Sequence, residues 1–234
     1  MKLFSQGVYA VLSGLFLLGF PAKAIAQDTI KAIPKRIRVE KVACKDEHTN
    51  RQGCKLVISI DMGDTVLYYG RDSYFQGGIP FISDSARMAI IEQLLCFRGD
   101  TTTCCFPVRK FYYESIERIC HPKAKSTTYS TQIDALFMIN RIVYPEGVSL
   151  CSCQPVVMNP KTGKEMNNQH AFVAAYFDVY ERCLKLARET GSLKNSFAFN
   201  TDQYAWLDAQ TVPDEVRERA NKENERIRKK HYQQ

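Results

Sequence analysis

The chain of 234 residues has one tryptophan, four histidines and no phosphate-binding loop. Gly63, Gly70 and the pair Gly77-Gly78 form neither of the two glycine strings that cradle phosphates, G-x-x-x-x-G-K and G-x-G-x-x-G. No asparagine begins an N-x-Ser/Thr glycosylation acceptor, and no repeat of solenoid period is present. These absences exclude the common nucleotide-binding motifs and the repeat architectures.

The N-terminal segment 1–26 has the order of a secretory signal peptide. Lys2 precedes an apolar run over 8–20, and Ala24 and Ala26 occupy the two small-residue positions of a cleavage site. The run is too short and too interrupted by glycine to cross a bilayer of about 30 Å, although an uncleaved anchor is the alternative interpretation. Since no later segment resembles a membrane span, the sequence predicts a secreted or periplasmic protein with no transmembrane segment after cleavage.

Nine cysteines in an exported chain indicate a disulfide framework, because an oxidising compartment lets bridges persist. The odd number leaves at least one thiol without an intramolecular bridge. Cys44 and Cys54 flank the short polar loop 45–53, which has the composition of a turn between two strands, so we expect a local Cys44–Cys54 disulfide. Spacing does not determine the connectivity of the other seven, which are Cys96, Cys104, Cys105, Cys120, Cys151, Cys153 and Cys183.

The segment 35–69 has the alternation and β-branched runs of three strands, which cannot be stable alone in water. Four later segments have helical periodicity and capping or stop residues, and Ser83 is among the capping hydroxyls at the start of the first. A proline- and glycine-containing turn at 159–163 predicts a small hairpin between the third and fourth helices. The predicted helices are 84–97, 107–119, 130–144 and 168–190.

The predicted fold is therefore α+β, with a small N-terminal antiparallel sheet packed on a bundle of about four amphipathic helices. Disulfides staple this body, and a charged C-terminal helix is expected to project from it or lie loosely on it. Along the chain we expect a signal peptide at 1–26, a β-rich segment at 27–81, a helical body with the hairpin and a C-terminal covering segment at 82–212, and the charged tail at 213–234.

A cysteine nucleophile is the sharpest catalytic hypothesis, with Cys183, His121 and Asn140 as thiol, base and orienting amide. However, Cys183 and Asn140 fall on the apolar faces of their predicted helices. A core or disulfide-bonded cysteine and a hydrogen-bonded buried amide are commoner there. The sequence thus favours a non-catalytic role, with a small secreted hydrolase carrying a cysteine–histidine site as the alternative.

A zinc site is the corresponding metal hypothesis, since zinc favours soft ligand sets. The paired spacings typical of such sites are missing, and an oxidising compartment consumes thiols. We therefore expect neither a metal nor another cofactor. The candidate ligands are Cys104, Cys105, Cys151, Cys153 and His121.

The remaining polar motifs have ordinary structural explanations. His170 begins a helix, where the dipole favours anions, but alone it is a surface polar residue. The tripeptide Arg98-Gly99-Asp100 resembles an adhesion motif, although a glycine C-cap explains Gly99.

The single acids Asp134 and Asp178 lie at the edges of helix stripes, so we expect them to be solvated. The acids of the basic tail are spaced to pair within it, and export takes the protein away from the genome, so no nucleic-acid partner is predicted. Abundant tyrosine and phenylalanine favour binding to an envelope or extracellular macromolecule.

The site of export cleavage can be tested directly. We predict that the mature protein begins at Gln27, because Ala24 and Ala26 precede that bond. Intact-mass measurement of exported material should give the mass of 27–234, and a mass that retains the first 26 residues would refute the prediction.

Overall fold

A computed structural model describes residues 33–70, 82–108, 124–143, 154–193, 196–197 and 200–207. The predicted signal peptide, the predicted helix 107–119 beyond Val108, and the charged tail lie outside the described residues. In chain order the elements are β1 (Arg36–Lys45), β2 (Gln52–Asp61), β3 (Val66–Tyr69), α1 (Asp84–Leu95), α2 (Thr131–Val143), β4 (Val157–Asn159), β5 (Lys164–Glu165), α3 (His170–Thr190) and β6 (Ala205–Trp206).

The first sheet is antiparallel, with β2 between β1 and β3, as the strand pattern of 35–69 predicts. The hairpin of β1 and β2 is in register over its whole length, from the Arg36–Asp61 pair to the Lys45–Gln52 pair. Side chains alternate between the two faces of a strand. The β2 side chains that are buried belong to one face of the sheet, which is the face that meets the helices: Leu56, Ile58 and Ile60.

The three described helices pack against one another, and two of them pack against this sheet, α1 on β1 and α2 on β2. Ser83 caps α1 as predicted, its Oγ accepting from the Ala86 N–H at 3.2 Å. The prediction of a bundle of about four helices does not match the structure. The buried sheet face organises these helices, and the described residues contain three of them. Within the described ranges no helix has the length and apolarity needed to span a membrane.

The edge of β1 that no described strand pairs is covered by a side chain of α1. Gln93 Oε1 accepts from the Val39 N–H at 2.9 Å, and Gln93 Nε2 donates to the Ile37 carbonyl oxygen at 3.3 Å. The amide thereby replaces the hydrogen bonds that a further strand would make. An unpaired edge is a template for aggregation, so Gln93 both docks α1 and protects the sheet.

A second sheet, in the order β5-β4-β6, contains the hairpin that the turn at 159–163 predicts. Asn159 Oδ1 accepts from the Lys161 and Thr162 N–H groups, and Gly163 adopts a positive φ of 63°. The strand β6 pairs with β4 and places Trp206 in the core. The apolar segment after α3 thus becomes part of the sheet and of the core.

The expected Cys44–Cys54 disulfide is wrong, because Cys44 is bonded to Cys105, with 5.8 Å between their Cα atoms. In the register of the hairpin Cys44 lies opposite Gly53, and Cys54 lies opposite Ala43. Residues one position apart in register point to opposite faces of a sheet. Cys54 therefore faces away from Cys44 and keeps its thiol.

Gly53 makes the observed bridge geometrically feasible. The segment 103–105 runs beside β2 and is bonded to it through the backbone. The Cys54 N–H donates to the Thr103 carbonyl oxygen, and the Cys105 N–H donates to the Cys54 carbonyl oxygen, both at 3.0 Å. A Cβ at Gly53 would lie 2.5 Å from the Thr103 oxygen and 2.7 Å from the Cys105 nitrogen. A glycine is needed here because it lets a neighbouring backbone approach closely.

We predict that Gly53→Ala lowers the free energy of unfolding by about 1–3 kcal/mol, since the clash is with backbone that cannot rotate away. Gly70→Ala is the matched control, because among the described residues its Cβ would meet only the Leu56 carbonyl oxygen, at 3.7 Å. Denaturant unfolding of oxidised protein measures both. Equal stability of the two variants would contradict the role assigned to Gly53.

Candidate functional site

Asn140, the predicted orienting amide, lies fully buried on α2 and joins two aromatic side chains. Its Oδ1 accepts from Trp206 Nε1 at 3.1 Å, and its Nδ2 donates to Tyr180 Oη at 2.5 Å and to the Leu136 carbonyl oxygen at 3.1 Å. Trp206 Nε1 also donates to Tyr180 Oη at 2.9 Å. Each buried polar group in this network therefore has a partner, which removes the cost of its desolvation.

Aromatic rings surround the Asn140 network. Tyr176 stacks on Tyr204 with ring centroids 4.8 Å apart and meets Tyr180 edge-on at 5.0 Å. Trp206 lies 5.7 Å from Phe137, again between ring centroids. Complete burial raises the pKa of the Tyr176 phenol far above its ordinary value. The network is thus a dry part of the core that joins α2, α3 and β6.

Cys183 lies on the same helix as Tyr180, with 8% of its surface exposed. His121 lies outside the described residues, so the cysteine–histidine arrangement stays a prediction. The described partners of Asn140 give this amide a structural role. Tyr180 and Trp206 were not predicted as its partners from the sequence. The sequence did contain an indication of this contact. Buried tyrosine and tryptophan need hydrogen-bond partners for their polar atoms, and Asn140 lies on an apolar helix face.

The proposed metal ligands are not available as a set. Cys105 is bonded to Cys44 and cannot act as a thiolate, so the hypothesis is wrong at this residue. Cys104 is buried in the core, and Cys151, Cys153 and His121 lie outside the described residues. Among the residues described, no group of three or more histidine, cysteine, aspartate or glutamate side chains is arranged to hold a metal.

The charged side chains of the adhesion-like tripeptide 98–100 form ion pairs with other parts of the chain. Asp100 binds Lys41 Nζ at 2.6 Å, and Arg98 binds Asp178 at 2.5 Å. Burial alone would raise the pKa of Asp100, but hydrogen bonds from Lys41 and Thr102 lower it. Gly99 has a positive φ of 79°, which favours glycine, but the C-cap of α1 is Cys96, so Gly99 lies three residues beyond the cap and the prediction of a glycine C-cap is wrong. These interactions support a structural role for the tripeptide.

His170 and Asp134 differ in burial. His170 is exposed at the start of α3, as predicted, and its Nδ1 lies 3.3 Å from Gln132 Nε2. Asp134 is 1% exposed, so its predicted solvation is wrong. Its Oδ2 lies 3.4 Å from the Leu56 nitrogen, because packing of α2 on β2 covers the edge of the helix stripe.

The face of the first sheet opposite the helices carries an exposed tyrosine, Tyr68, at 67%. In the register of the sheet, Arg38, Ser59 and Tyr68 form one row across the three strands. Val66, 45% exposed, lies on the same face. We call this surface the outer sheet face, formed by Arg36, Arg38, Glu40, Val42, Lys55, Val57, Ser59, Asp61, Val66 and Tyr68.

Comparisons of the chain with protein-family models, with curated proteins and with solved structures find no match. Assignment of a function therefore depends on the chemistry of the residues themselves.

We predict that Tyr180→Phe lowers the free energy of unfolding by about 1–2 kcal/mol, because it removes a buried hydroxyl that bonds Asn140 and Trp206. Tyr68→Phe deletes the same atom at an exposed position and should change stability by less than about 0.5 kcal/mol. Denaturant unfolding followed by Trp206 fluorescence compares them. A loss of equal size in both variants would show that the network contributes no stability.

Proposed function

We propose that this chain is an exported, non-catalytic binding protein whose partner is an envelope or extracellular macromolecule. Segment 1–26 directs its export and is removed. The observation that carries the proposal is the outer sheet face, where Tyr68 and Val66 are exposed beside arginines. Tyrosine and arginine are enriched in protein interfaces, because they combine large contact area with directional hydrogen bonds.

The geometry of this face suits a contact with a large partner. Arg38 and Tyr68 flank the small side chain of Ser59 in one row, and Arg36 and Val66 flank Asp61 in the next. The two rows present apolar and cationic groups side by side on a paired, rigid sheet. A rigid platform reduces the entropy lost on binding.

The alternative of a small secreted hydrolase receives no support from the described residues. Asn140 is committed to Tyr180 and Trp206, and Cys183 is buried on α3. A catalytic thiol needs access to substrate and an adjacent base. The non-catalytic interpretation therefore accounts for these residues with fewer assumptions.

Binding to the membrane and cell-surface fraction of the source cells tests the proposal. Wild-type protein should be retained saturably, and the double variant Val66→Ser/Tyr68→Ser should bind about tenfold or more weakly, because interface tyrosines are frequent hot spots. Leu186→Ser is the matched control, since Leu186 on α3 is 43% exposed and lies away from the outer sheet face.

Two outcomes would contradict the proposal. The first is equal retention of the double variant and wild-type protein. The second is a cysteine that labels rapidly well below the ordinary thiol pKa of about 8.5 and is silenced by His121→Ala, which would favour nucleophilic catalysis.

A further inference from the structure

Four cysteines meet where the segment 103–105 runs beside the first hairpin. Cys44 and Cys105 form the disulfide already described, whereas Cys54 and Cys104 carry thiols. Cys54 and Cys104 are also the two partners of the parallel β-bridge between β2 and this segment. The fold therefore holds two thiols on adjacent backbones, although the residues are distant in sequence.

The side chains of Cys54 and Cys104 point to the same face of the sheet. Residues paired across two parallel strands have this orientation. The existing disulfide gives the same result independently. Cys54 faces away from Cys44, because the hairpin register offsets the two by one residue. Cys104 faces away from Cys105, because consecutive side chains alternate where the segment is extended.

This shared face is the one that meets the helices, and it covers the two thiols unequally. Leu56, which follows Cys54 by two residues on β2, is fully buried, and Cys104 is itself 0% exposed within the core. Cys54 is only partly buried. Thiol–disulfide exchange begins with attack by an accessible thiolate, so a small disulfide in solution meets Cys54 first and Cys104 lies behind it.

The spacing between adjacent strands suits a bond between these two residues. Neighbouring strands lie about 4.7–4.9 Å apart. Disulfide-bonded cysteines have Cα atoms about 4.4–6.8 Å apart, so paired positions fall within the required range.

We propose that Cys54 and Cys104 are a site of oxidation that closes a second disulfide, with a small disulfide of the glutathione class as the oxidant. The Cys54 thiolate attacks the glutathione disulfide, and one glutathione leaves and takes up the proton that Cys54 gave. The Cys104 thiolate then attacks the Cys54 sulfur of the mixed disulfide, and the second glutathione leaves with the proton of Cys104. Two protein thiols are oxidised, and one glutathione disulfide is reduced to two thiols.

The second disulfide would fasten the segment 103–105 to the hairpin from both faces of the sheet. Cys44–Cys105 lies on one face, and Cys54–Cys104 would lie on the other. This inference goes beyond the proposed binding role and does not depend on it, because the oxidation requires neither export nor a macromolecular partner.

Mapping of the unreduced protein after controlled oxidation tests the proposal. Purified full-length protein is equilibrated with oxidised glutathione in excess over reduced glutathione, acidified to stop exchange, unfolded, alkylated with N-ethylmaleimide and digested with trypsin. Cleavage after lysine and arginine places the four cysteines on the peptides 42–45, 52–55 and 99–109. These three peptides should be recovered as one species joined by two disulfides, with loss of alkylation at Cys54.

Cys104→Ala identifies the partner of Cys54 and keeps the buried position apolar. In this variant 52–55 should be released in alkylated form, while 42–45 stays joined to 99–109 through Cys44–Cys105. That persisting bond shows that the variant has folded. Cys96→Ala is the matched control, because it removes an exposed thiol at the end of α1, and it should leave the three-peptide species unchanged.

Three results would each overturn the proposal. The first is release of alkylated 52–55 from the oxidised wild-type protein. The second is a Cys104→Ala variant in which 52–55 stays joined to 99–109, since Cys54 would then pair with Cys105. The third is loss of the three-peptide species in Cys96→Ala.

Discussion

The close approach of segment 103–105 to Gly53 is the contact on which the arrangement of the first sheet depends. A side chain at Gly53 would overlap the backbone of Thr103 and Cys105. Because glycine has no side chain, segment 103–105 can lie beside β2 and hydrogen-bond to it. Cys44 then reaches Cys105 across the glycine, and the bond joins residues 61 positions apart in sequence. The Cys104 N–H in turn donates to the Tyr129 carbonyl oxygen at 2.9 Å, which ties the start of α2 to the same edge.

Within the apolar core, a network of hydrogen bonds joins α2, α3 and β6. Asn140 bonds Tyr180 and Trp206 where water is excluded, so losing one partner would leave a desolvated group. Such a network restricts how α2, α3 and β6 can pack, because other arrangements leave the amide unsatisfied. Asn167 performs a similar role nearby, its Oδ1 accepting from the Val157 N–H at 2.9 Å. Asn140, a candidate catalytic residue from the sequence, thus helps to specify how the helices pack.

The helices cover one face of the first sheet, and the outer sheet face is the one that carries the proposed function. Tyr68 and Arg38 are exposed there, in one row with Ser59. The exposed tyrosine and valine beside arginines support the proposed macromolecular partner.

By itself the sequence determined the local elements, because periodicity, caps and turns act between residues that are close along the chain. The three strands, α1 with Ser83 as its cap, α2, α3 and the hairpin at 159–163 were all predictable on this basis. The C-terminal covering segment was predicted as well, and it packs on the body through β6 and Trp206.

Only the tertiary structure decided which distant residues meet. Whether Cys44 pairs with Cys54 or with Cys105 depends on strand register, and a shift of one residue reverses the face to which a side chain points. The burial of Asp134 and the partners of Asn140 likewise depend on how helices pack, which spacing along the chain does not encode. Local sequence sets the conformation of each element, but register and packing arise from contacts between elements.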